Sequence, residues 1–199
     1  MGDSNLYNYI ELTKKLSRET LDLITASTDE EFDAAFDNWL TQAIAKMEAN
    51  KLNYSSLNEN GLSAVLAAAL STGEISVTQE QNSNGHVDLT VKLNNSFPQR
   101  VKLGEAKIWR GKEYHSKGLD QLLNRYMTGR ECSGFVVSYV KIADIKGLFE
   151  NLRKHIDNSK PFNLEGLCLD HNIKWSFLSK HKHGSGELVA ICHIGCNLH

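Results

Sequence analysis

His86-Val87-Asp88-Leu89-Thr90-Val91-Lys92-Leu93 alternates apolar and polar residues. It is followed by the turn Asn94-Asn95-Ser96-Phe97-Pro98 and by a second extended stretch from about Arg100 to Trp109. A period of two marks a strand, so Val87, Leu89, Val91 and Leu93 are expected on one face and Asp88, Thr90 and Lys92 on the other. A further alternating run begins upstream at Ile75, Val77 and Gln79 and closes at the turn Asn82-Ser83-Asn84-Gly85. Three consecutive short strands therefore hold the middle of the chain.

Outward from them the period changes to that of helices. Towards the N-terminus a third helix is expected over about 57–71, with Leu62, Val65, Leu66, Ala69 and Leu70 inward and Ser71-Thr72-Gly73 ending it. Thr28-Asp29-Glu30-Glu31 is a capping box opening a helix whose apolar stripe is Phe32, Phe36, Leu40, Ile44 and Met47. Leu6, Ile10, Leu16 and Leu23 sit at looser helical intervals. Towards the C-terminus a helix is expected around 116–128 (Leu119, Leu122, Leu123, Tyr126), then the buried strand Phe135–Val140. An amphipathic helix over 142–157 follows (Ile142, Ile145, Leu148, Leu152), with two strands around 173–178 and 188–195. The reading is an α/β (α+β) fold, a mixed central β-sheet flanked by helices. It forms one domain over 1–199, with a helical N-terminal extension over 1–55 and an α-β-β-β-α-β core plus C-terminal strands over 56–199.

Composition narrows the class. The 199 residues carry 41% hydrophobic and 23% charged residues and two prolines, ordinary values for a folded chain. No apolar run approaches the ~18 residues of a membrane helix, and the start MGDSNLYNYIE has no signal-peptide core, so a cytoplasmic protein is expected. Cys132, Cys168, Cys192 and Cys196 then read as reduced thiols. The net charge of −2 conceals an asymmetry: residues 1–59 hold 5 Lys/Arg and 11 Asp/Glu, whereas residues 100–131 hold 8 and 4. An acidic front and a basic middle fit a protein with one positive surface for a polyanion, or simply a mixed solvated face.

The chemistry lies between Glu59 and Tyr126. In Gly104-Glu105-Ala106-Lys107 the alternation puts Glu105 and Lys107 on one face, and hairpin pairing would set Asp88 beside Glu105. Two carboxylates and a lysine on an apolar sheet are costly to bury without compensation, and a divalent cation with hard oxygen ligands provides it. Such a cation polarises a phosphodiester while the lysine orients water or stabilises developing charge. An isolated E-x-K more often marks a solvated ion pair; the combination with Asp88, Gly104 and the following helix is what points to a site.

This combination resembles the PD-(D/E)xK nuclease superfamily, with its restriction-endonuclease-like fold. The resemblance runs through Gly85-His86-Val87-Asp88, Gly104-Glu105-Ala106-Lys107-Ile108-Trp109 and Gln121-Leu122-Leu123-Asn124-Arg125-Tyr126, covering about residues 57–140. Val87 stands where the superfamily often has proline. The resemblance implies a Mg2+-dependent endonuclease, with Mn2+ as substitute, whose metal ligands are Asp88 and Glu105 and whose water-positioning residue is Lys107. Glu59 resembles the helix acid that completes the metal shell, although Ser56-Leu57-Asn58-Glu59 also reads as a capping box. Gln121 resembles a helix glutamine over the site. Tyr126, one residue beyond the Q-x-x-x-Y spacing of RecB-like members, is expected to face the core.

Trp109, Arg110, Lys112, His115, Lys117 and Arg125 interleave basic groups with an aromatic and are candidates for phosphate or base contact. The partner implied is nucleic acid, DNA before RNA, with a homodimer or regulatory subunit for control, in a restriction, phage-defence or toxin setting. Two other classes remain open. One is an inactive nuclease fold that binds nucleic acid or a protein. The other is a zinc-stabilised interaction domain using the tail residues His181, His183, Cys192, His193, Cys196 and His199, although no finger-like spacing is present. Within the tail, Cys192 is expected in the core and His181 or His183 in a loop.

Overall fold

The computed structural model describes residues 11, 14, 16–79, 81–82, 86–94 and 96–199, with 81, 82 and 86 by backbone alone. Leu6 and Ile10 of the expected first helix, the turn residues Ser83, Asn84 and Gly85, and Asn95 lie outside the described residues. The elements run α1 (Arg18–Thr25), α2 (Asp29–Ala49), α3 (Lys51–Tyr54), α4 (Glu59–Leu70), β1 (Ile75–Thr78), β2 (Gln81–Asn82), β3 (His86–Val87), β4 (Leu89–Leu93) and β5 (Val101–Ile108). They continue with α5 (Lys112–Gln121), a π-helical turn (Leu122–Tyr126), β6 (Ser133–Val140), α6 (Ile145–Ser159), β7 (Leu169–Asp170), β8 (Ser176–Lys182) and β9 (Leu188–Asn197).

Seven strands form one mixed sheet in the order β1-β4-β5-β6-β9-β8-β7, while β2 and β3 pair separately. The pairs β1–β4 and β4–β5 are antiparallel, and α5 then carries the chain to β6, which lies parallel to β5. β9 is parallel to β6 and antiparallel to β8. Helices cover both faces, which is why β6 is buried along its whole length. Among the described residues no helix is long and apolar enough to cross a membrane.

On one face α1, α2 and α4 share a core with Leu89, Val91, Leu93, Ala106, Phe135 and Ile194. Every residue of the predicted α2 stripe is buried, and Thr28 and Glu31 make both hydrogen bonds of the capping box. The N-terminal helices therefore complete the sheet's own core. α2 also takes up part of the basic middle: Lys102 is buried against Asp33 at 2.8 Å, and Arg100 meets Asp29 at 3.5 Å. This reduces the positive surface that the charge distribution suggested. Gly104 belongs to this face because the Phe135 ring lies 2.2 Å from where its Cβ would be.

The other face carries α5 with the π-turn over Leu103, Val136 and Ile191, and α6 over Val140 and Phe177. Three expectations are corrected here. The strand predicted over 86–93 breaks at Asp88, so Val87 packs under α5 while Leu89, Val91 and Leu93 pack under α2 and α4. The helix predicted from 116 starts at Lys112 and ends in a π-turn. The helix predicted from 142 starts at Ile145, with Asp144 as its N-cap, and leaves Ile142 exposed. In the tail, β8 starts three residues later than expected and reaches Lys182, so His181 is a buried strand residue and His183 is the histidine that falls in the loop.

Candidate active site

The break at Asp88 positions the first acid. Leu89 pairs with Gly104 across β4–β5, so Asp88 falls opposite Glu105, on the α5 face that Glu105 and Lys107 share. Its Oδ2 accepts the Ala106 amide N–H at 3.0 Å, which fixes the carboxylate beside β5. Lys107 Nζ lies 2.6 Å from Glu105 Oε1, 3.4 Å from Asp88 Oδ2 and 3.6 Å from Glu59 Oε1.

Glu59 reaches this point from another element. The N-cap of α4 is Asn58, whose side chain accepts the Gly61 N–H; Glu59 is the first helical residue. Its Oε2 accepts the Ile108 N–H at 2.7 Å and lies 3.4 Å from the Tyr114 hydroxyl. The capping-box alternative for Glu59 therefore falls: its carboxylate bonds β5 rather than the Ser56 amide. A distant cation holds the approach to α4, since Lys141 Nζ donates to the carbonyls of Ser55 and Leu57, both at 2.8 Å.

Three carboxylates around one ammonium leave excess negative charge, and both buried groups respond to it. Burial pushes the Glu105 carboxyl up, Asp88 adds to the rise against the pull of Lys107, and the group reaches about 8. Burial pulls the Lys107 ammonium down, but Glu105, Asp88 and Glu59 outweigh it and hold it above its ordinary value. Glu105 is 1% exposed, and its second oxygen, Oε2, is buried without a hydrogen-bond partner. An orphaned oxygen beside surplus anionic charge fits a hard divalent cation. In the present arrangement the ammonium sits at the centre: the ligand atoms of Glu59, Asp88 and Glu105 do not all fall within 4.8 Å of one another.

α5 forms the roof. Gly118 lets it descend onto the strand, since a Cβ there would sit 3.2 Å from Cγ of both Glu105 and Lys107. Gln121, one turn later on the same helix face, is half-buried and makes no side-chain hydrogen bond among the described residues. After it the helix widens, with the Met127 N–H bonding the Leu122 carbonyl, five residues back. The wide turn absorbs the extra residue between Gln121 and Tyr126. Tyr126 is buried in the α5 core, as expected; burial first, then the charges of Glu105 and Asp88, raise its phenol.

The candidates for nucleic-acid contact divide. Arg110, Lys117 and Arg125 are exposed, and Arg110 lies over the Tyr114 ring at 5.2 Å. Trp109 and Lys112 line a cleft of about 670 Å³ between α5 and α6, with Lys154 and His155 opposite; the carboxylate cluster lies outside it. His115 is the exception. It is 1% exposed and belongs to a buried chain of hydrogen bonds that sequence reasoning missed.

That chain links Ser138 Oγ, His115, His193, Ser179 Oγ, His181 and the Phe162 carbonyl in steps of 2.7–3.0 Å. A carbonyl only accepts, so His181 Nδ1 donates to Phe162, and every other proton follows. Ser179 donates to His181 Nε2, His193 Nε2 to Ser179, His115 Nε2 to His193 Nδ1, and Ser138 to His115 Nδ1. All three rings are neutral, because burial drives His115 down to about 3 and lowers His193 and His181. His181 and His193 thus face the α5 side while Cys192 and Cys196 face α2, so these tail residues do not converge on one ion.

No family model matches the sequence, and searches of the curated proteins and of the solved structures returned no match.

Proposed function

We propose that the chain is a Mg2+-dependent nuclease of the PD-(D/E)xK type, on a restriction-endonuclease-like sheet, that hydrolyses phosphodiester bonds in DNA. One observation carries the reading: Asp88, Glu105 and Glu59, from three different elements, close on the Lys107 ammonium while Glu105 Oε2 is buried without a partner. The run α4, β1, β4, β5, α5, β6, with the separate β2–β3 pair set between β1 and β4, supports it, matching the α-β-β-β-α-β order that the resemblance implies.

Asp88 and Glu105 would hold the cation, with Glu59 completing its shell directly or through water. When bound, Mg2+ supplies charge neutralisation and Lewis acidity at a phosphate oxygen. The other tasks belong to the chain. Lys107, kept protonated by its anionic neighbours, donates hydrogen bonds to the attacking water or to charge developing on the phosphate, and does not act as a base. α5, seated on Gly118, shields the carboxylates from bulk water and carries Gln121 towards the substrate side. Arg110, Lys117 and Arg125 supply phosphate contacts around it. Unrestrained cleavage would damage a host, so the reading extends to a restriction, phage-defence or toxin setting under the control of a homodimer or partner subunit.

The test is incubation with plasmid, linear and single-stranded DNA and with RNA, in Mg2+, Mn2+ or EDTA. Cleavage of DNA that needs the metal, and that falls at least about 100-fold in Lys107→Ala, is expected. A Lys107→Ala protein that cuts as fast as wild type removes the assignment.

A further inference from the structure

The cleft of about 670 Å³ between α5 and α6 contains none of the four charged groups of the carboxylate cluster, yet it opens on the same strand. The Trp109 N–H donates to the Tyr139 carbonyl at 3.0 Å, so the β5–β6 ladder continues one residue past Ile108. Alternation then puts the indole on the face that Glu105 and Lys107 share. Two residues of strand, about 7 Å, separate Trp109 from Lys107. A stacked nucleic-acid strand advances about 3.4 Å per nucleotide, so the cleft lies one or two nucleotides from a phosphate at Lys107.

Trp109 is half-buried. Its ring packs 5.9 Å from Phe149 and 6.3 Å from His115, centroid to centroid, and the rest of it lines the cleft. Its indole N–H has no acceptor among the described residues, whereas Trp39 gives its own to the Leu70 carbonyl at 2.9 Å.

The opposite wall is one face of α6. Leu148, Asn151, His155 and Asn158 recur at steps of three, four and three residues and all line the cleft. Asn151 and Asn158 are exposed, and their amides offer donors and acceptors that are unused among the described residues. Lys112 from α5 and Lys154 from α6 set two ammonium groups against one carboxylate, Glu113, and none of the three is ion-paired among the described residues.

An aromatic plate, free amides and flanking cations answer the three parts of one nucleotide: the face of its base, the edge of its base and its phosphate. A base inside a duplex has both faces covered by its neighbours, so the base that enters must have left the stack.

We propose that the cleft holds an unpaired nucleotide of the DNA strand, one or two positions from the scissile phosphate. Its base stacks on Trp109, its edge bonds Asn151 and Asn158, and its phosphates meet Lys112 and Lys154. The inference rests on the nuclease reading for the place of the scissile phosphate, and it narrows the substrate to DNA that is single-stranded or opened beside the cut. α6, which supplies no carboxylate to the cluster, thereby selects the substrate.

Tryptophan fluorescence tests it without catalysis. In EDTA the full chain is titrated with a short single-stranded DNA of mixed sequence and with the duplex of the same sequence. The single strand is expected to quench the emission and to bind at least about tenfold tighter than the duplex. Trp109→Phe, which keeps an aromatic ring against Phe149, abolishes the quenching and weakens single-strand binding at least about fivefold. Joint Asn151→Ala and Asn158→Ala, at exposed positions, weakens it similarly and leaves duplex affinity and melting temperature unchanged. Equal affinity for the duplex, quenching that persists in Trp109→Phe, or single-strand binding unchanged in the asparagine variant overturns the inference. Cleavage assays in Mg2+ keep the two readings apart. Metal-dependent cutting of duplex as fast as of single strand retains the nuclease and overturns the inference about the cleft. Quenching lost in Trp109→Phe, in a protein that cuts nothing, supports the cleft and removes the nuclease.

Discussion

Two polar clusters lie side by side under the α5 and α6 layer, meeting where Lys107 pairs with Ser138 across β5–β6, and they are built on opposite principles. In the histidine chain every proton has an acceptor and every ring is neutral. In the carboxylate cluster charge exceeds its compensation, and a buried oxygen has no partner. The first arrangement lowers the energy of the chain as it stands. The second raises it and is relieved only by something from outside, which is the usual thermodynamic mark of a site as opposed to a core.

That contrast can be broken at Glu105. Glu105→Gln removes a metal ligand and replaces a buried carboxyl whose ionisation the site opposes with a neutral amide, so DNA cleavage is expected to fall by at least about 100-fold while the metal-free protein melts at a higher temperature than wild type. A variant that loses both activity and thermal stability would mean the cluster is structural. The opposite outcome is expected of His193→Ala, which leaves His115 Nε2–H without an acceptor and Ser179 without a donor. Loss of those bonds and of the ring's packing is expected to cost about 3–5 kcal/mol by denaturant titration, with activity per folded molecule unchanged.

pH sharpens the same comparison, because the two clusters tilt stability in opposite directions. Between 4.5 and about 8 folded Glu105 holds a proton that the unfolded chain releases, so its contribution falls as pH rises through that window. For His115, between its ordinary 6.5 and about 3, the unfolded chain binds a proton that the folded one refuses, so stability is lost as pH falls below 6.5. The metal-free wild type is thus expected to lose melting temperature on both sides of a maximum. Glu105→Gln flattens only the alkaline side, and Mg2+ near pH 8 restores it in the wild type alone. The smallest effect is expected at the rim: Lys117→Ala or Arg125→Ala should raise KM for DNA a few-fold and reduce its salt dependence, with kcat little changed.

The juxtaposition of Asp88, Glu105 and Lys107 was legible because strand alternation and one hairpin fix it within twenty residues. Glu59 was legible as a site residue only through the resemblance, beside a capping-box alternative, since Ser56 and Asn58 compete for the N-cap and only the fold decides between them. The inversion of Val87 was hidden: an unbroken alternation does not announce a break at Asp88, which arises because the Ala106 amide claims that carboxylate. The histidine chain joins α5, β6, β8 and β9, and its longest link, His115 to His193, spans 78 residues. The Asp37–His171 hydrogen bond, on the α2 side of the sheet, joins residues 134 apart. No local pattern records either meeting; it follows from which strands become neighbours.

Lys141 touches none of the four charged groups of the cluster, yet it clamps the two carbonyls that lead into α4 and so governs where Glu59 arrives. Leverage over the carboxylates therefore rests with a half-exposed ammonium at the end of β6. Neutralising that amine, by a chemical tag or by a protein that docks over it, would slacken the acid's tether without altering any atom of the cluster.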